Sequence, residues 1–411
     1  MRIPGFLLLI VLISASCAGS REIPEQAAHY GPAEVNPETA GLNLSHLDHI
    51  DRLVEMSIKA GEIPGAVVLV ARNGALAYHK AFGYRALAPE PEPMSIDTIF
   101  DIASLTKVVA TVPAVMQMVD RGAVRLDERV QRYLPEFSGG GKDTVTLRQL
   151  LTHYSGLPAV FDLSREWFGY EEALKELWKI GTAAEPGKSF IYSDLNFIAL
   201  GEVVRVVSGK TLDEYARENL YMPLGMNATG FLPPADMTGL IAPTESRNKT
   251  LRYLKGRDLS AGFDRILRGE VHDPTAWRMG GVSGHAGVFS SAADLAIYAQ
   301  LLLNQGIHAG ERLLSAASVR AMINPQSPAG STQVRGYGWD IDSGYSSPRG
   351  DLLPGGYGHT GFTGVSLWIY PPAETVIIIL TNRVHTGRGV NINHLRSTIA
   401  NVVAAAISDF R

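Results

Sequence analysis

Cysteine is almost absent from this 411-residue chain, with Cys17 standing alone. No intrachain disulfide can form, so a packed core has to hold the fold. The HExxH pattern and the paired-cysteine spacings of zinc sites are missing too, so no metal cofactor is expected. No block of lysine and arginine of the nucleic-acid-binding kind occurs, and the net charge is −4. The apolar run over 6–13 is too short to span a membrane as a helix. What remains is a globular composition, 45% apolar and 19% charged, with 42 glycines and 23 prolines for tight turns. The length suits one large two-lobed domain or two ordinary ones.

Arg2, the apolar run and the small residues up to Cys17 predict a secretory signal over 1–17. Ser14-Ala15-Ser16-Cys17 resembles a bacterial lipoprotein processing box, although Ile13 stands one place earlier than the usual large apolar residue. Lipid attachment at Cys17 and a periplasmic location are expected, with simple secretion as the alternative. Membrane contact would then be through the lipid alone. Residues 18–42, with Pro24, Pro32 and Pro37, read as a tether.

Beyond the tether, 44–60 has helical periodicity. The runs 66–71 and 75–82 flank Asn73-Gly74, a strong hairpin signal. A buried helix is expected from Ser104 to near Gly122, with Pro113 as a kink. The stretch 121–335 is mostly helical, strands return at 365–370 and 376–381, and a helix closes the chain over 392–407. Strands at both ends around a helical middle predict an α+β fold. One antiparallel sheet would be built from both termini and flanked by helices, with a mostly helical lobe inserted into it. The α/β lobe would cover about 43–102 plus 336–411, the helical lobe about 103–335, and a site would lie at their seam.

Ser104-Leu105-Thr106-Lys107 carries the first chemical signal. A serine hydroxyl is a weak nucleophile and needs a neighbouring base. A lysine one helical turn away can serve if burial keeps it partly neutral. On local sequence alone Ser104 reads equally as a helix N-cap. The same spacing at Ser246-Arg247-Asn248-Lys249 has polar, loop-like flanks and reads as solvated chain. Tyr192 is a candidate base or relay beside Lys107, because a phenol near an ammonium ionises more readily. His359-Thr360-Gly361 precedes a strand, where a glycine lets a substrate backbone approach and an N–H face an oxyanion. A second His-Thr-Gly at His385-Thr386-Gly387 leads into a loop and is set aside.

Ser-x-x-Lys, then Tyr192-Ser193-Asp194, then His359-Thr360-Gly361 resembles the penicillin-recognising serine hydrolases. These include class C β-lactamases, D-Ala-D-Ala carboxypeptidases and related esterases. Residues 145–158 (VTLRQLLTHYSGLP), Glu185-Pro186-Gly187, Pro223-Leu224-Gly225-Met226 and 281–295 (GVSGHAGVFSSAADL) are similar to that family as well, so the likeness runs from about 44 to 408. The resemblance implies a β-lactamase/transpeptidase-like fold and an acyl-enzyme on Ser104, with Lys107 as base or relay. Tyr192 would protonate the leaving group. His359, Thr360 and Gly361 would line the substrate strand, and the N–H groups of Ser104 and Phe362 would form the oxyanion hole. It implies no cofactor and a small acyl substrate. A peptidoglycan stem peptide ending in D-Ala-D-Ala comes first, an ester second and a β-lactam third. A catalytically silent peptide-binding protein is the non-enzyme alternative.

Two positions depart from the β-lactamase pattern. Asp194 stands where asparagine is usual; if close to Lys107 it favours the charged lysine and works against its role as a base. His359 stands where many members have lysine, which weakens the fixed charge for a substrate carboxylate. Other patterns fail on inspection. Gly356-Tyr357-Gly358-His359-Thr360-Gly361 spells a dinucleotide fingerprint without the flanking strand and helix. Gly187-Lys188-Ser189 lacks the spacing of a phosphate loop, and Ser283 lacks that of a nucleophile elbow. His272-Asp273 and His285 read as structural, while Trp277, Trp339 and Tyr337 are candidates for cleft or core.

Overall fold

A computed structural model describes residues 31–250, 265–386 and 390–409. The secretory signal with Cys17, the tether up to residue 30 and Gly387 lie outside the described residues. The last part of the expected tether belongs to the fold. Ala33–Glu34 pairs in parallel with Ala75–Ala86, and Ala40 and Leu42 are buried in the core.

Alternation along Gly65–Arg72 sets the layers. Val67, Leu69 and Ala71 enter a core shared with the inserted lobe, while Ala66, Val68 and Val70 enter a second core under the terminal helices. A strand buried on both faces reads as a continuous apolar run, as this one does. Its hairpin to Ala75–Ala86 closes at Asn73 and Gly74, both left-handed at φ 52° and 75°, the geometry that favours this dipeptide.

The main sheet runs in the order Ala33–Glu34, Ala75–Ala86, Gly65–Arg72, Thr375–Thr381, Ser366–Tyr370, Tyr357–Thr360, Asp340–Asp342, Val334–Arg335. Strands from the two ends of the chain meet where Val68 stands opposite Ile379, and from Ala75–Ala86 onward along this order the pairing is antiparallel. Leu44–Lys59 and Asn393–Ala406 cover one face, and Ala292–Leu303 from the inserted lobe covers the other. The fold is therefore the α+β sheet with an inserted helical lobe that the pattern predicts.

Two details differ. At the end of the stretch assigned to the α/β lobe, Phe100–Asp101 pairs with Val288–Ser290 of the inserted lobe and not with the main sheet. The helix expected from Ser104 is composite: a 3₁₀ turn over Ala103–Leu105, a π-helical turn over Lys107–Thr111, then an α-helix over Val112–Asp120. Pro113 lies inside this continuous helical stretch, and its missing N–H coincides with the π-helical irregularity just ahead of it. The wider turn ahead of it absorbs the change of register, and such turns recur at functional sites.

Candidate active site

Ser104 is mounted on the seam between the lobes. Just before it, the buried Asp101 accepts the Ala103 N–H on Oδ1 (2.8 Å) and the His272 N–H on Oδ2 (2.7 Å). Burial raises the Asp101 pKa, and these two N–H groups oppose the shift. Thr363 Oγ1 donates to the Asp101 carbonyl (2.7 Å), tying the turn after His359-Thr360-Gly361 to the serine's mount. Ala103 is left-handed at φ 45°, a conformation that costs a non-glycine residue about 1–2 kcal/mol. Ser104 lies inside the 3₁₀ turn that follows Ile102, so the N-cap reading does not hold.

Lys107 lies fully buried beneath Ser104. Its Nζ reaches Ser104 Oγ at 3.0 Å, the His285 carbonyl at 3.1 Å and Asp194 Oδ1 at 2.7 Å. Burial pulls its pKa down, but Asp194 and then Tyr192 more than reverse this, so the net shift is upward. Lys107 in the free protein is an ammonium paired with Asp194.

Tyr192 stacks on a residue that the sequence did not single out, His153, at 4.4 Å and 29°. His153 is a buried, left-handed non-glycine residue at φ 62°. Its Nδ1 accepts the Ser193 N–H at 3.0 Å, which places its proton on Nε2. It thus fixes the turn that delivers both Tyr192 and Asp194, the first residue of the helix Asp194–Ser208. His359 has the opposite tautomer, because its Nδ1–H donates to the Thr360 carbonyl at 2.8 Å and leaves a lone pair on Nε2. Burial, then Arg335 and Lys107, push the pKa of each imidazole well below the ordinary histidine value, and both are neutral at pH 7. The position where the resemblance leads to the expectation of a cation is uncharged here.

Two cavities meet at Ser104. One, of about 380 Å³, is lined by Tyr192, Arg335, His359, Thr360, Asn393 and Arg396 among others. The other, of about 740 Å³, is lined by Val160, Phe161, Leu163, Asp194, Asp273 and Phe362 among others. Phe362 is 54% exposed and forms part of both walls. Its N–H donates to no acceptor among the described residues, as an oxyanion donor requires. Gly361 is needed where it stands, since a Cβ would lie 2.5 Å from the Ile102 carbonyl and from Val365 Cγ2.

Arg335, Arg383 and Arg396, all distant in sequence from the three motifs, line the smaller cavity with one carboxylate, Asp340, which pairs with Arg335 (3.6 Å), so the balance of charge there is cationic. Arg396 is buried, donates to the Val365 carbonyl (2.8 Å) and to Asn393 Oδ1 (3.0 Å), and has no carboxylate partner among the described residues. Burial and the neighbouring Arg383 both weigh against its charge. In the larger cavity, Asp273 is held ionised against the effect of burial by His285 (Nε2 to Oδ1, 2.9 Å) and by the Thr275 and Ala276 N–H groups. Asp194, Asp273 and His285 bring potential metal donors within 4.8 Å of one another, and Lys107 already supplies Asp194 with a cation.

The fold thus gathers Ser104, Lys107, Tyr192, Asp194, His359, Thr360, Gly361 and Phe362 into one cleft. His385 is elsewhere, accepting the Leu87 N–H and donating to the Thr244 carbonyl. His272 and His285 are bonded to Glu245 and Asp273 as structural histidines. Trp339 and Tyr337 are core residues, and Trp277 stacks under the Arg247 guanidinium at 4.6 Å, lining neither cavity.

This sheet, its inserted lobe and the Ser-Lys-Tyr cleft define a serine hydrolase, and the chain belongs to the Beta-lactamase family, whose model matches residues 50–400. Two relatives are similar over most of their length. One, from Escherichia coli (strain K12), bears the name "Putative D-alanyl-D-alanine carboxypeptidase" and is 32% identical, covering 92% of this chain and 91% of its own. The other, the N-acetylmuramyl-L-alanine amidase of Bacillus subtilis (strain 168), is 33% identical, covering 86% and 85%. Among solved structures, a class C β-lactamase superposes with a TM-score of 0.69 at 21% identity, covering 88% of this chain and 96% of that one.

Proposed function

We propose that this hydrolase is a D-Ala-D-Ala carboxypeptidase working through an acyl-enzyme on Ser104. The observation that carries this reading is the cationic smaller cavity, where the buried Arg396 has no carboxylate partner among the described residues. Tyr192, in this reading the proton donor to the leaving amine, lines this cavity and not the larger one. The leaving group therefore belongs in the smaller cavity, and a terminal D-Ala would bring Arg396 its missing carboxylate. The roomy, largely apolar cavity is left for the acyl half, the rest of the stem peptide.

In this mechanism Ser104 Oγ attacks the penultimate carbonyl. The oxyanion is held by the N–H groups of Ser104 and Phe362. Tyr192 hands a proton to the departing nitrogen, and water repeats the sequence in reverse to release the acyl group. Small esters and β-lactams would enter the same cleft as secondary substrates. A second reading is an amidase that cuts at the L-Ala end of the peptide, favoured by the likeness to the Bacillus subtilis protein. There the bond is followed by more peptide, and no free carboxylate falls beside Arg396.

The two readings separate on paired peptides. With a blocked L-Lys-D-Ala-D-Ala peptide, release of D-Ala is expected, and replacing the terminal carboxylate by a carboxamide should lower kcat/KM about 10- to 100-fold, the worth of a hydrogen bond to a charged group. Equal rates on the two peptides, or cleavage only at a muramyl-L-Ala bond, would overturn the carboxypeptidase reading.

A further inference from the structure

The lysine poses a proton problem, and the inference rests on the acyl-enzyme reading above. We propose that Asp194 is a catalytic residue that takes a proton from Lys107, after which the neutral amine takes the proton of Ser104. An ammonium donating to Ser104 Oγ has no lone pair with which to accept that oxygen's proton. Some neighbour must first relieve it. The oxygens nearest Lys107 Nζ are Ser104 Oγ at 3.0 Å and the His285 carbonyl at 3.1 Å, both hydrogen-bonded, and Asp194 Oδ1 at 2.7 Å, in ion-pair contact. Ser104 is the source of the proton, and a backbone carbonyl cannot carry one away. The Tyr192 phenol also faces the ammonium, but its own proton is destined for the leaving group. Asp194 is what remains, and an asparagine at this position could not do the same.

The surrounding charges are consistent with this exchange. From the helix Pro274–Arg278 and the glycine-rich stretch after it come Asp273, held ionised, and His285, whose ring is engaged by Asp273 and Ser283. From the other side come His153 and His359, both neutral, and the cation Arg335. None of these side chains is a hydrogen-bond partner of Lys107.

The step balances within the site. Asp194 gains a proton from Lys107. The Ser104 O–H bond breaks toward the amine as the Oγ–carbonyl bond forms. When the C–N bond breaks, the nitrogen takes the Tyr192 proton. Tyr192 is then refilled from Lys107, and Lys107 from Asp194. One proton has moved from serine to leaving group, and the site is restored. Asp194, the departure from the family pattern that would disable a simple lysine base, becomes the end of a relay.

The test is the rate of Ser104 acylation from pH 5 to 10, with p-nitrophenyl acetate and with a fluorescent penicillin, in the purified protein, Asp194→Asn and Asp194→Glu. Thermal melts establish that each variant is folded. Asp194→Asn should be slower by about 10²- to 10³-fold at pH 7, the usual worth of general base catalysis. Its rate should then climb about tenfold per pH unit as neutral lysine becomes populated, with Asp194→Glu regaining much of the neutral-pH rate. Acylation of Asp194→Asn at or above the wild-type rate at pH 7 would overturn the relay. So would an equal loss at every pH, the mark of a merely structural role. Release of D-Ala plays no part in this readout. A wild-type protein that acylates from the ester yet never releases D-Ala defeats the carboxypeptidase reading and leaves the relay standing, while one acylated by neither probe defeats both.

Discussion

Ser104→Ala is expected to abolish turnover, with kcat/KM for D-Ala release falling by about 10⁴-fold or more while the peptide still binds. Among the described residues, Ser104 carries the one hydroxyl that lines both cavities. It accepts a hydrogen bond from Lys107, and the strained Ala103 ahead of it fixes its approach. The substitution removes one oxygen and leaves the oxyanion donors, Tyr192 and the arginines in place, so binding affinity should change little. Calorimetric titration with the uncleaved peptide, beside an assay of released D-Ala, reads the two quantities separately. A variant that keeps turnover would remove Ser104 from the chemistry. A wild type that binds but never turns over would make the chain a silent peptide binder.

Lys107→Met should be nearly as severe for acylation, about 10³- to 10⁴-fold, but with an unusual stability signature. Breaking a buried ion pair by removing one partner is usually costly, because the other charge is stranded. Here the stranded carboxylate, Asp194, keeps 20% of its side chain exposed at the larger cavity, so the charge stays partly solvated even though the oxygen facing Lys107 is buried. The lysine itself is wholly buried, so methionine spares the desolvation of an ammonium and fills similar space beside Phe197 and Tyr192. The melting temperature should therefore stay level or rise while the acylation burst disappears. A large fall in melting temperature would mean that the ion pair is chiefly structural, and a retained burst would mean that the serine finds its base elsewhere.

Much of this was legible in the sequence where physics is local. Asn73-Gly74 announces its hairpin because two left-handed residues in a row demand that pair. The apolar strands from both ends of the chain have one sheet to share, and the Ser104 to Lys107 spacing puts hydroxyl and amine on one face of a turn even though that turn is 3₁₀ and then π rather than α. What the sequence hides is long-range. Arg335 and Arg396 come from a sheet-edge strand and the last helix, and only the closed sheet brings them to Ser104. His153 carries no signal beyond its place in a family-like segment; its left-handed backbone and its bond to Ser193 exist only in three dimensions. The expected tether extends too far because proline-rich composition does not show that Ala33–Glu34 finds a strand to pair with. The meaning of Asp194 depended on one distance to Lys107, which no pattern supplies.

The most direct measurement is mass spectrometry of the protein acid-quenched during turnover of a D-Ala-D-Ala peptide or a penicillin, followed by peptide mapping. An acyl adduct on the peptide bearing Ser104, forming and decaying at the rate of turnover and absent from Ser104→Ala, is the predicted result. Turnover at full rate with no adduct, or an adduct on another residue, would contradict catalysis through Ser104.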